Sequence, residues 1–273
     1  MQTVTRLDPL RSAVAALRAD GPLALVPTMG ALHEGHLTLV REARQRAAHV
    51  AVSIFVNPRQ FGANEDLDKY PRQMAADSAL LQAEGVSLLW APTVEAMYPQ
   101  GYATNISVSG VSDGLCGAAR PGHFDGVATV VCKLFNQVRP DIALFGEKDW
   151  QQLALIRAMA ATRHPEIQIV GVPTVREPDG LAMSSRNRYL SPAERETAAL
   201  IPAALRDIAA AGGTDESIVR AAAKLDHVGI VVDYLDVVDP MTLEPTGGDE
   251  PARAIIAARV GATRLIDNLS VRD

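Results

Sequence analysis

Pro27-Thr28-Met29-Gly30-Ala31-Leu32-His33-Glu34-Gly35-His36 is the stretch on which the reading of this sequence turns. It follows a short apolar run, Leu23 to Val26, and leads into a helix-period stretch, Leu37 to Ala48. A turn between a buried strand and a helix is part of a βαβ unit, and open parallel sheets bind ligands just outside the carboxyl ends of their strands. His33 and His36 stand at a helix N-terminus, where backbone N–H groups and the positive end of the helix dipole favour phosphate. Gly30 and Gly35 allow a nucleotide to approach the backbone closely. A zinc site would want histidines four apart or a third ligand nearby, and neither is present.

Outward from this turn, the same alternation continues. Strands are expected at Val50 to Val56, Val86 to Trp90, Ile142 to Phe145 and Ile167 to Val172, with a further short one at Ile106 to Val108. Helices are expected at Arg72 to Glu84, Asp125 to Val138 and Asp149 to Arg163. This order predicts an α/β fold with a Rossmann-like parallel sheet. Pro173 and the turn Pro178-Asp179-Gly180 interrupt the pattern, which places a domain boundary near Pro173 and divides the chain into 1–173 and a smaller α+β domain, 174–273. In the second part, Ser191, Pro192 and Glu194 form a capped helix start, and the helix should run to about Ala211 and stop at Gly212 and Gly213. A short helix at Asp215 to Leu225 and strands at Ile230 to Val238, Ala254 to Val260 and Arg264 to Leu269 should follow.

The bulk properties narrow the function. Apolar residues make up 48% and charged residues 21% of 273, which is ordinary for a globular chain and excludes disordered and fibrous classes. The net charge of -6, without a basic run, argues against a nucleic-acid partner. No stretch is long and apolar enough for a membrane span, and Met1 to Pro9, with Arg6 and Asp8, does not read as a signal peptide. Cys116 and Cys132 are too far apart and too isolated for a disulfide framework or a zinc site, so a cytoplasmic location is expected. Cys132, within the apolar run Val127 to Phe135, reads as a buried helix residue.

Two further clusters carry chemistry. In Phe145-Gly146-Glu147-Lys148-Asp149-Trp150-Gln151-Gln152, again at a strand end entering a helix, Lys148 can neutralise phosphate charge and Asp149 can accept hydrogen bonds from a ribose or base. In Met183-Ser184-Ser185-Arg186-Asn187-Arg188, hydroxyls, backbone donors and a permanent guanidinium suit a loop that closes over a triphosphate. The segment Gly62 to Tyr70, with Gly, Asn and alternating acids, reads as a mobile cover. Asp77 is a candidate carboxylate for magnesium.

Taken in order, P-T-M-G-A-L-H-E-G-H, S-I-F-V-N-P-R-Q-F (Ser53 to Phe61), R-P-G-H-F-D-G-V (Arg120 to Val127), F-G-E-K-D-W-Q-Q and M-S-S-R-N resemble the pantothenate synthetase family across nearly the whole chain. Trp150 stands where the family pattern has Phe or Tyr. The resemblance implies an H-x-G-H nucleotidyl-transfer fold and an AMP-forming ligase: ATP and pantoate give pantoyl adenylate and pyrophosphate, and β-alanine then gives pantothenate and AMP. By residues that match the family pattern, it implies that Met29, Gly30, Ala31, Leu32, His33, Glu34, Gly35 and His36 hold ATP. Gly146, Glu147, Lys148, Asp149, Val175, Met183, Ser184, Ser185 and Arg186 complete that site. It further implies that Gln60 and Gln152 grip pantoate, that β-alanine enters near Gln60, and that His36, His33 and Lys148 serve catalysis. ATP with Mg2+ as substrate, no tightly bound organic cofactor, and a homodimer are implied in the same way. Other readings of these motifs remain a nucleotidyltransferase of the H-x-G-H type, which leaves nucleotide on its product, and a nucleotide-binding regulatory protein.

Overall fold

A computed structural model describes residues 1–62, 65, 67–246 and 248–272. In chain order it contains β1 (Gln2–Val4), α1 (Leu7–Asp20), β2 (Leu23–Thr28), α2 (Glu34–Arg46), β3 (His49–Ile54), α3 (Met74–Ala83), β4 (Leu88–Trp90), α4 (Val94–Met97), α5 (Cys116–Ala119), α6 (His123–Val138), β5 (Ile142–Gly146), α7 (Trp150–Arg163) and β6 (Gln168–Val172). These are followed by α8 (Pro192–Ala198), α9 (Leu200–Ala210), α10 (Asp215–His227), β7 (Val231–Val238), β8 (Ala252–Val260) and β9 (Thr263–Arg272). The chain divides into two compact units. One comprises Met1–Ser109, Arg120–Glu147 and Leu155–Pro173; the other comprises Gly110–Ala119, Lys148–Ala154 and Thr174–Asp273.

Among the described residues of the first unit, six strands form one sheet in the order β1-β4-β3-β2-β5-β6. All the pairings are parallel. Leu23 to Val26 are completely buried because β2 lies inside the sheet with both faces covered. Neighbouring strand residues face opposite ways. Val26, Val52 and Leu144 therefore join Leu39, Val40 and Ala43 of α2 and Leu81 of α3 in one cluster. Phe145 meets Phe135 of α6 edge-on, with ring centroids 6.4 Å apart. The strand order turns back between β2 and β5: from β2 the chain moves outward through β3 and β4, and from β5 it moves the other way to β6. That is the topological switch point of the sheet, where the crevice for a ligand opens. Thr28 ends β2 and Gly146 ends β5 at its carboxyl edge.

In the second unit, β7, β8 and β9 make an antiparallel sheet. Ile201, Leu205 and Ile208 of α9 pack with Leu225 of α10 and Ile256 of β8. Ser191 caps α8 reciprocally with Glu194, as expected: the Ser191 hydroxyl accepts the Glu194 N–H at 3.3 Å, and the Ser191 N–H reaches Glu194 Oε2 at 2.8 Å. The helix does not run unbroken to Ala211, however. It is interrupted at Ala199, because Pro202 has no N–H to give and its ring opposes the carbonyl four residues back, at Ala198. Gly212 and Gly213, at φ of 70° and 72°, then stop α9 in the left-handed region where glycine is favoured.

The strand expected at Ile106 to Val108 does not form. The Ile106 N–H donates to Thr129 Oγ1 at 2.9 Å, so a side chain of α6 satisfies the backbone there. Neither β1 nor α1 was anticipated, and Arg6, which precedes α1, gives it no side-chain cap. Cys132 is 5% exposed, as a buried helix residue should be. Among the described residues, no helix is long and apolar enough to cross a membrane.

Candidate functional site

The turn after β2 is built to hold two imidazoles. Gly30 has φ of 81°, and a Cβ there would lie 3.0 Å from Asp77 Oδ2 and 3.1 Å from Ile54 Cγ2, so both its conformation and its surroundings call for glycine. Ala31 is also left-handed, at φ of 53°, a conformation that costs a non-glycine residue about 1 kcal/mol or more. What holds the strained turn is Asp77, 1% exposed on α3. Its Oδ2 accepts the Ala31 N–H and its Oδ1 the Leu32 N–H, both at 2.9 Å, and Gln73 Nε2 adds a third bond at 3.2 Å. Asp77 was a candidate carboxylate for magnesium. Its oxygens instead carry the backbone of the turn.

At the start of α2 the histidines cap the helix reciprocally. His33 Nδ1 accepts the Gly35 N–H at 3.2 Å, and His36 Nδ1 accepts the His33 N–H at 3.3 Å. Their rings are tilted against each other with centroids 4.1 Å apart. A neutral imidazole that accepts at Nδ1 carries its proton on Nε2, so both rings are set as Nε2–H donors. The H-x-G-H spacing thus fixes two tautomers at a helix N-terminus. Glu34 between them is exposed and pairs with Arg41. Ala31 and Leu32 are buried, at 0% and 5% exposure.

Gln60 belongs to the same unit, in a single 3-10 turn, Pro58–Gln60. Its Nε2 is 3.1 Å from Met29 Sδ, and its Oε1 accepts from Asn57 Nδ2 at 3.1 Å. Its backbone carbonyl is 2.8 Å from His123 Nδ1 and 3.4 Å from Arg120 Nη2. Arg120 in turn bonds Glu65 through Nε at 2.7 Å and Nη2 at 2.5 Å. Burial works to raise the Glu65 pKa, but the Arg120 guanidinium outweighs it and holds the carboxyl below its ordinary value. The turn can sit this close to α6 only because residue 126 is glycine: a Cβ there would lie 2.3 Å from the Arg59 carbonyl oxygen. Of the expected cover, Gly62 to Tyr70, residues Ala63, Asn64 and Asp66 lie outside the described residues. Tyr70 is 5% exposed and meets Phe61 edge-on at 5.9 Å.

Gly146 and Glu147 leave β5 within the first unit; Lys148, Asp149, Gln152, Val175 and Met183 to Arg186 belong to the second. Lys148 lies in a 3-10 turn, Glu147–Asp149, whose Lys148 carbonyl accepts from Asn268 Nδ2 at 2.9 Å. Asn268 Oδ1 accepts from Arg253 at 2.6 Å, and the Arg253 guanidinium stacks 3.5 Å above the Trp150 ring. Trp150 Nε1 donates to the Pro240 carbonyl at 2.8 Å. Asp267, 2% exposed, forms a bidentate pair with Arg176 at 2.7 and 2.9 Å. Arg176 pairs across a short bridge with Ala182, and the Met183 N–H donates to the Val175 carbonyl at 3.0 Å. In consequence, Asp267 and Asn268 of β9 tie to one strand both the Lys148 turn and Arg176, in the hairpin that leads into the 3-10 turn Ser185–Tyr189. Ser184 Oγ accepts the Arg186 N–H at 3.2 Å, and Asn187 Nδ2 donates to Glu177 Oε1 at 2.7 Å. Arg195 spans Glu177 and Asp179 and depresses the Asp179 pKa. Gln152 is half-buried; its neighbour Gln151 supports the loop before α5 through the Val111 and Gly114 carbonyls at 3.0 and 2.9 Å.

Sequence reading singled out the donors but missed what holds them. Asn57, Gly126, Arg120 and His123 lie inside the quoted motifs and were given no role. Asp267 and Asn268 left a fainter signal, two polar residues in succession within an otherwise apolar strand, Leu265 to Leu269. Among the described residues, no group of three or more His, Cys, Asp or Glu side chains could hold a metal ion.

Comparison with known proteins agrees with the motif order. The family model described as pantoate-beta-alanine ligase matches residues 2–270. The chain is 64% identical to a pantothenate synthetase from Novosphingobium aromaticivorans, over 99% of both chains. It is 59% identical to one from Rhizorhabdus wittichii, again over 99% of both. Its fold matches a crystal structure of pantothenate synthetase from Thermus thermophilus with a TM-score of 0.93, at 48% identity and over 100% of both chains. A structure of pantoate-beta-alanine ligase from Francisella tularensis, complexed with beta-gamma ATP and beta-alanine, matches with a TM-score of 0.87 at 33% identity, over 99% of this chain and 98% of that one.

Proposed function

The chain belongs to the pantoate-beta-alanine ligase family, and we propose that it joins pantoate to β-alanine through the residues described above. The reaction is ATP-dependent and AMP-forming. A carboxylate is a poor electrophile, and adenylation supplies AMP as a good leaving group. Pantoate attacks the α-phosphorus of ATP to give pantoyl adenylate and pyrophosphate. The β-alanine amine then attacks the acyl carbon, loses its proton and expels AMP.

The observation that carries the residue assignment is the paired capping of His33 and His36 at the switch point of the sheet. With Nδ1 of each ring taken by backbone, the Nε2–H groups serve as fixed donors to phosphate oxygens, beside the positive end of α2. Met29 to His36, Gly146 to Asp149, Val175 and Met183 to Arg186 hold ATP in this reading. Lys148 and Arg186 are the cations that meet the charge growing on the transferring phosphate and on departing pyrophosphate. Gln60 and Gln152 hold pantoate, and β-alanine enters near Gln60. The Met29 thioether that now faces Gln60 Nε2 is a weak acceptor, which a carboxylate or hydroxyl oxygen readily replaces.

Magnesium enters with ATP, held chiefly by phosphates and water. A cytoplasmic homodimer completes the proposal; the location rests on the two isolated cysteines and the dimer on the family resemblance. In the second half-reaction the main task is to keep pantoyl adenylate from water.

Lys148→Ala separates this assignment from mere binding. Its single-turnover rate of adenylate formation should fall on the order of a hundredfold or more, as for other preorganised electrostatic donors. Supplied with synthetic pantoyl adenylate, the variant should recover most of its ligation to β-alanine. Adenylate formation at the normal rate would remove Lys148 from catalysis.

A further inference from the structure

The Gln60 amide is oriented by hydrogen bonds that begin outside the sequence motifs, at Tyr98. Its hydroxyl lies 2.8 Å from Asn57 Oδ1. A carboxamide oxygen carries no proton, so the phenol is the donor. Asn57 is 1% exposed, and its amide is engaged on both sides. Oδ1 also accepts the Arg59 N–H at 3.3 Å, while Nδ2 donates to the Gly126 carbonyl at 3.0 Å and to Gln60 Oε1 at 3.1 Å. Inverting this amide would set oxygen against the Gly126 carbonyl oxygen and NH2 against the Arg59 N–H, and it would take from the Tyr98 hydroxyl the acceptor to which it donates. The consequence passes to Gln60. With Oε1 accepting from Asn57, Nε2 becomes the end presented on the Met29 side.

We infer that Tyr98 is a positioning residue for the acid substrate: acting through Asn57, its hydroxyl holds Gln60 as an N–H donor, the polarity that suits a carboxylate or hydroxyl oxygen. The inference rests on the assignment of Gln60 to pantoate. The surroundings of Tyr98 fit this task. Burial raises its pKa by more than Arg59 lowers it, so the hydroxyl keeps its proton. Its ring is held independently of the hydroxyl. The Arg59 guanidinium lies 5.4 Å and Lys133 Nζ 5.8 Å from its centroid, and the Tyr102 ring meets it edge-on at 5.1 Å. Tyr98→Phe therefore keeps the packing and deletes one donor.

The test is a double-mutant cycle on the full-length enzyme, with Tyr98→Phe, Gln60→Ala and both together, reading KM for pantoate, KM for ATP, kcat and the melting temperature. Loss of one hydrogen bond to a buried amide predicts that Tyr98→Phe raises KM for pantoate about three- to tenfold. KM for ATP should stay within twofold and kcat should change less than KM for pantoate. In the Gln60→Ala background, where there is no amide to orient, Tyr98→Phe should add less than a twofold effect. An equal effect in both backgrounds, or parallel rises in both KM values, would overturn the relay and leave Tyr98 as a packing residue. If Gln60→Ala raises KM for pantoate and Tyr98→Phe does not, the relay fails while the role of Gln60 stands. If Gln60→Ala leaves KM for pantoate unchanged, the assignment of Gln60 fails and the relay falls with it.

Discussion

At Asp77 one carboxylate holds the turn on which the two histidines depend. Its oxygens take the Ala31 and Leu32 N–H groups at 2.9 Å each, inside the protein where no water can replace them. Asn at this position keeps the size but turns one acceptor into an NH2 group that faces an N–H. Leaving a buried donor unmatched costs about 1–3 kcal/mol, which should appear partly as stability and partly as a displaced turn. Asp77→Asn is therefore expected to weaken ATP binding about tenfold or more by isothermal titration calorimetry and to lower the melting temperature by several degrees. Unchanged ATP affinity would mean that the turn keeps its shape without the carboxylate. In the sequence, Asp77 is one acid in an Ala-rich helix, 46 residues from the backbone it serves. Its partners are peptide N–H groups, which every residue but proline has, so nothing in the sequence could point to them. The histidines were legible because their chemistry lies in their side chains and their neighbours are local.

At the scale of elements, periodicity located α2, α3, α6, α7 and the buried strands β2 to β6 to within a few residues, since the hydrophobic pattern there is the packing itself, but it missed β1 and α1. It failed where something other than packing decides. Ile106 to Val108 has the alternation of a strand, but its Ile106 amide is claimed by Thr129. Between α8 and α9, a single proline ends what propensity alone would continue. The most demanding approach of two elements is that of α6 to the Pro58–Gln60 turn. A methyl group at residue 126 would lie 2.3 Å from the Arg59 carbonyl oxygen and 2.8 Å from the Gln60 nitrogen, contacts that backbone cannot yield without moving. Gly126→Ala should thus displace the turn and with it the Gln60 amide. The expected result is a rise in KM for pantoate of about tenfold or more, with a loss of about 1–3 kcal/mol in stability by chemical denaturation. A normal KM for pantoate would show that Gln60 does not depend on that close contact.

For the molecule as a whole, each unit has its own core: one spans the parallel sheet with α2 and α3, and the other joins α9 and α10 to the antiparallel sheet. The last third of the chain offered the least to sequence reading, although Asp267 and Asn268 there brace both the Lys148 turn and the Arg176 hairpin that leads into Ser184. Their work is again on backbone and on arginines distant in sequence, and only the folded sheet brings these together. The central claim is about chemistry: the enzyme activates pantoate as its acyl-adenylate before β-alanine takes part. Exchange of radiolabelled pyrophosphate into ATP, measured without β-alanine, tests it most directly, because label returns to ATP only by reversal of adenylate formation. The account predicts rapid exchange when pantoate is present and none when it is left out; exchange that ignores pantoate, or none at all until β-alanine is added, would contradict it.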